Sequence, residues 1–63
     1  MIKITFKSYQ ILIKKEDFIM LDFKGNSYHL HYKEDNKIER KAGDIENFKS
    51  IHILNDKYEW IKI

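Results

Sequence analysis

Apolar and polar residues alternate with a period of two along most of the chain, and no stretch of about eleven residues or more carries a helical stripe. The clearest unit runs from Phe18 to Lys33. With Gly25 and Asn26 as a two-residue turn, the register sets Phe23 opposite Tyr28, Leu21 opposite Leu30 and Ile19 opposite Tyr32 on one apolar face. The other face of the same hairpin pairs Asp22 with His29 and Met20 with His31.

The neighbours of this hairpin follow from the same alternation. Ile2, Ile4 and Phe6 share one parity while Tyr9, Ile11 and Ile13 share the other, so the inward face changes phase at Lys7 and Ser8 through a bulge or sharp bend. Lys15-Glu16-Asp17 reads as a three-residue loop that sets Ile13 opposite Ile19, Ile11 opposite Leu21 and Tyr9 opposite Phe23. Glu34-Asp35-Asn36 reads in the same style, which sets Ile38 beside Tyr32, Glu39 beside His31, and Arg40 beside Leu30 as the one misfit on the apolar face. After Ala42-Gly43-Asp44 the pattern lapses, and Asp44 is placed to cap a single helical turn near residues 44–48. Residues 50–54 and 57–61 then pair about Asn55-Asp56, with Ile53 opposite Tyr58, Ile51 opposite Trp60 and His52 opposite Glu59.

The expected fold is therefore all-β, or β-dominated with that one short helical turn. It is a small antiparallel meander, curled into a five- to six-stranded SH3-like barrel or a two-layer sheet because both faces of the meander carry apolar residues. Residues 1–63 form a single small β domain, without repeats, linkers or low-complexity segments.

Size narrows the function classes. A chain of 63 residues removes only about 60% of its unfolded surface from water, so its large apolar side chains are needed for the core and a spacious substrate cavity is not expected. It has no cysteine and no proline, which leaves neither a disulfide framework nor a thiolate zinc site. No apolar run reaches the ~18 residues of a membrane span, and the first seven residues alternate rather than form a signal peptide, so cytoplasmic residence without a membrane partner is the expectation.

Charge adds less. Twelve basic and ten acidic residues give a net charge of +2, with the signs interleaved, and Arg40 is the only arginine. A nucleic-acid interface on a small β-barrel would draw on Lys33, Lys37, Arg40, Lys41 and Lys49 as a basic rim and Trp60 as a stacking platform. The parity of Trp60 with Ile51 and Ile53 places it in the core instead, and the low net charge weakens the case.

Two further constellations stand out. His29 and His31 project from one strand face at metal-ligand spacing, but a zinc site needs at least a third ligand, and Asp22 and Glu39 opposite them are explained as cross-strand acid and base pairs. No metal or other cofactor is expected. Leu12, Phe18 and Met20 beside His31, rimmed by Lys33 and Lys37, compose a partner-binding patch if a second layer leaves them uncovered.

The chain has no Gly-rich phosphate loop, no nucleophile elbow and only two glycines, so an enzyme is not expected. What remains is a small non-enzymatic protein-interaction module, of the style of phage or mobile-element inhibitors that cover a site on a larger host macromolecule. A nucleic-acid-binding barrel and a homo-oligomer, such as a homodimer paired at a strand edge, are the alternatives.

Overall fold

The chain forms seven strands, and a computed structural model describes all of residues 1–63. They are β1 (Ile2–Phe6), β2 (Gln10–Ile13), β3 (Phe18–Lys24), β4 (Ser27–Glu34), β5 (Lys37–Asp44), β6 (Phe48–Leu54) and β7 (Trp60–Lys62), with 3-10 turns at Lys15–Asp17 and Ile45–Asn47. The strands make two antiparallel sheets, one ordered β2-β1-β6-β7 and the other β3-β4-β5. The fold is all-β and two-layered; the sheets do not close into a barrel. No helix is long and apolar enough to cross a membrane.

The layers meet through the residues whose parity points inward. Ile2, Ile4, Phe6 and Ile13 from the four-stranded layer pack against Tyr28, Leu30 and Tyr32 from the three-stranded one. Ile4 and Leu30 are fully buried, each contributing about 1.5–3 kcal/mol of hydrophobic stabilisation. Phe6 and Tyr28 bridge the layers with ring centroids 5.0 Å apart.

The β3–β4 hairpin has the expected register from Lys24–Ser27 to Met20–His31. Gly25 turns the chain with φ +61°, a conformation glycine adopts without steric cost. The expected pairing of Ile19 with Tyr32 is displaced: Ile19 is the extra residue of a bulge, and Phe18 takes the place opposite Tyr32.

The other registers differ more. Asp35 and Asn36 both have positive φ (51° and 64°), so they form a two-residue turn of I′ type rather than part of a three-residue loop. Glu34 then faces Lys37, Lys33 faces Ile38, Tyr32 faces Glu39 and His31 faces Arg40. Shifting a strand by one residue exchanges its faces, so Lys41 and Glu39 rather than Arg40 share the face of Leu30 and Tyr32, and Ile38 is left 61% exposed on the outside.

β2 pairs with β1, not with β3. Ile2 faces Ile13 and Ile4 faces Ile11, with Lys7 and Ser8 as the connection. The parity change there marks a hairpin with a two-residue link, in which inward residues of the two arms necessarily have opposite parity. Lys15–Asp17 is accordingly a 3-10 turn that carries the chain from one layer to the other, not a hairpin loop.

Ile45–Asn47 is the one turn expected near residues 44–48, but it is a 3-10 turn and the Asp44 side chain makes no capping hydrogen bond. The last hairpin has a longer loop than expected. Ile53 faces Ile61 and Leu54 faces Trp60, so neither Tyr58 nor Trp60 occupies the place foreseen, and His52 faces Lys62 rather than Glu59.

Candidate functional site

The two layers differ by one strand, and the mismatch falls on one flank. Contacts across the interface put β4 against β1 (Phe6 with Tyr28) and β3 against β6 (Phe23 with Phe48, centroids 5.0 Å). On the other flank, Lys41 of β5 lies over the Tyr9 ring that leads into β2, 5.4 Å from its centroid. β7 lies beyond β6, whereas the three-stranded layer has no strand beyond β3. The inward face of β7 is thus left uncovered: Ile61 is 47% exposed and Ile63 is 72% exposed.

A loop built on Asn55 holds β7 in place. Asn55 Oδ1 accepts hydrogen bonds from the Lys57 and Glu59 N–H groups, both at 2.9 Å, and the Asn55 N–H donates to the Glu59 carbonyl at 2.9 Å. This wrap is why the connection spans several residues where two were expected; it leaves Tyr58 at φ 61° and 84% exposed. Past it, the Ile63 N–H donates to the Ile51 carbonyl at 3.0 Å, so Ile63 continues the ladder with its side chain on the same face as Ile61.

β3 borders the same flank. Counting outward from the Lys24–Ser27 pair beside the turn, alternate residues exchange hydrogen bonds with β4, so the backbone groups of Leu21 and Phe23 point to the free edge. The Phe23 N–H donates to Oδ1 of its neighbour Asp22 at 2.9 Å. β3 is also the least guarded of the four sheet edges. β2 has four residues, β7 has three, and β5 carries Lys37, Glu39, Arg40, Lys41 and Asp44, whereas β3 has seven residues of which Asp22 and Lys24 alone are charged.

The expected partner-binding residues do not form one patch. Met20, His31 and Arg40 make a row on the outer face of the three-stranded layer, and Lys33 pairs with Ile38 on that face near the hairpin end that carries Lys37. Leu12 stands on the outer face of the other layer beside Lys3, 60% exposed, and Phe18 packs against the core. The single patch placed Leu12 and Met20 on one sheet; the β1–β2 pairing puts them on opposite sides of the molecule.

The residues of the nucleic-acid alternative are likewise dispersed. Lys33, Lys37 and Arg40 lie on the three-stranded layer, Lys41 faces Tyr9 at its margin, Lys49 is the extra residue of a β6 bulge, and Trp60 is on β7 of the other layer. The Lys3 Nζ sits 4.5 Å above the Trp60 ring.

For the histidines, His29 and His31 share an outer face as expected, but His52 belongs to the opposite layer, in a row with Lys3 and Lys62. Glu39 faces Tyr32, not His31, so the acid and base pairing expected for His31 and His52 is replaced by basic neighbours. The His52 Nδ1 is buried without a hydrogen-bond partner. No three His, Cys, Asp or Glu side chains are grouped as a metal site requires.

One groove runs between β2 and the end of the β4–β5 hairpin, lined by Ile11, Leu12, Lys14, Asp17, Lys33 and Glu34. Asp35 lines it as well, so its charges are two basic and three acidic, and no histidine lines it. Two phenols are perturbed, both by the core. Burial raises the pKa of Tyr28, reinforced by its hydrogen bond with Tyr9 and by the charges of Tyr9 and Asp44, and burial followed by the charge of Glu34 raises that of Tyr32.

Sequence reasoning missed Ile61 and Ile63. The signal was present, since Trp60, Ile61 and Ile63 make both faces of the last segment apolar, but the assumed two-residue turn gave the inward face to Tyr58 and Trp60. No family model, curated protein or solved structure matches the chain.

Proposed function

We propose that this chain is a small protein-interaction module that acts by binding rather than by catalysis, covering a site on a larger macromolecule in the manner of an inhibitor. The observation that carries this reading is the uncovered inward face of β7. Ile61 and Ile63 point to the side where the other sheet lies, yet that sheet ends at β3 and leaves them in water. Exposing such side chains costs about 25 cal/mol per Å² of apolar surface that a partner would remove from solvent. In a domain with so little surface to bury, apolar residues spent on an uncovered strand favour an interface.

The test compares the wild-type chain with the double variant Ile61→Asp/Ile63→Asp as baits in a nuclease-treated lysate of the native host. Ile63 is 72% exposed and Ile61 47%, so the variant is expected to stay folded with at most a small fall in melting temperature while losing one stoichiometric protein that the wild type retains. Equal retention by both baits, or retention of material only when nuclease is omitted, would sink the reading.

A further inference from the structure

By strand order and the Phe23–Phe48 contact, the free edge of β3 and the bare face of β7 lie on the same flank, which leaves a gap beyond β3 and over β7. A strand added beside β3 would extend the three-stranded layer by one and lie over the inward face of β7. The backbone groups of Leu21 and Phe23 would form its ladder, and its inward side chains would cover Ile61 and Ile63. Resting on the interaction-module reading above, we propose that the partner enters this gap as an extended segment, completing the sandwich by β-strand addition.

A second copy of the chain does not fit by symmetric pairing of its own β3. The two-fold axis of an antiparallel β3 pair stands perpendicular to the joined sheet, so both four-stranded layers would lie on the same side of it. Each β7 would then occupy the space beneath the other copy's β3, where β6 already lies. A symmetric β3 pair is thereby ruled out, and the occupant proposed is a single extended strand of a partner protein.

Charge specifies that strand further. On the outer face β3 presents Asp22 and Lys24, with inward-facing Leu21 and Phe23 between and beside them. An antiparallel partner that complements them reads, from its N-terminus, acidic, apolar, basic, apolar, any, apolar: the acid opposite Lys24, the base opposite Asp22, and the first two apolar residues opposite Phe23 and Leu21. Opposite charges directly across strands are favourable and like charges unfavourable. The Phe23 N–H is held by the Asp22 carboxylate, which releases it as it turns to the partner's basic side chain.

The probe is a blocked peptide, Glu-Val-Lys-Leu-Ser-Val, which repeats no segment of this chain, titrated into the ¹⁵N-labelled native chain, with Lys-Val-Glu-Leu-Ser-Val as the charge-reversed control. The expected result is saturable shifts in the β3 amides, slowed hydrogen exchange at Leu21 and Phe23, and affinity for the control weaker by roughly tenfold. Ile63→Asp is expected to weaken the matched peptide at an unchanged melting temperature. Shifts confined to other strands, an absence of shifts at millimolar peptide, or equal affinity for both peptides would overturn strand addition. The bait comparison distinguishes the two failures: if it still separates wild type from Ile61→Asp/Ile63→Asp, the module reading stands and only the mode of entry falls.

Discussion

At the scale of single residues, the tightest constraint is on Gly43. It sits in β5 opposite Tyr28, and a Cβ built there would lie 2.9 Å from the Tyr28 ring and hydroxyl. The tyrosine lies flat over a strand position that has no side chain, which explains how an aromatic residue fits at the margin of so thin a core. Gly43→Ala must displace that ring, which packs against Phe6, and a loss of about 1–3 kcal/mol in denaturant unfolding is expected. Tyr28 and Tyr32 also set an alkaline limit. Their phenols ionise near 10.0 when unfolded and higher when folded, so the native state keeps protons that the unfolded state has lost. Their contribution is fully present below pH 10.0 and is lost as pH rises through the raised values. Thermal melts should therefore show stability falling above that pH, and Tyr28→Phe should make the fall shallower.

At the scale of elements, β7 is the strand whose place depends most on one side chain. It has three residues, pairs only with β6, and is delivered by the loop that Asn55 organises. Asn55→Ala removes the acceptor from two N–H groups and is expected to cost about 1–2 kcal/mol. Hydrogen exchange should quicken first at Ile61 and Ile63, with β1 and β4 unaffected, because β7 opens without disturbing the main core. The same comparison explains how far the elements were legible in sequence. The β3–β4 hairpin was readable because the glycine turn and the alternation agree. The β4–β5 and β6–β7 registers were not, because Asp35 and Asn36 both adopt positive φ and Asn55 wraps its own backbone, and neither behaviour leaves a trace in the apolar pattern.

At the scale of the whole molecule, stability rests on one interface between two sheets. Leu30 and Ile4 are its fully buried centre, drawn from different layers. Leu30→Ala is expected to cost about 2–5 kcal/mol, comparable with the entire stability of so small a domain, so the variant should be largely unfolded by circular dichroism at 37 °C. The unequal layers have the opposite consequence on the flank of β7, where apolar residues can be replaced with little effect on folding.

The amino-acid sequence by itself determined that this chain is built of antiparallel strands and which residues in β1, β2 and β4 face inward, because period-two alternation is a local property of each segment. Only the tertiary structure decided which strand lies beside which. Pairing β2 with β1 rather than with β3 divided the expected meander into two sheets and separated Leu12 from Met20. It also decided that one layer has four strands and the other three, and so that Ile61 and Ile63 face open space. Alternation records whether a residue points inward; whether another layer is there to receive it depends on how many strands the opposite sheet can supply.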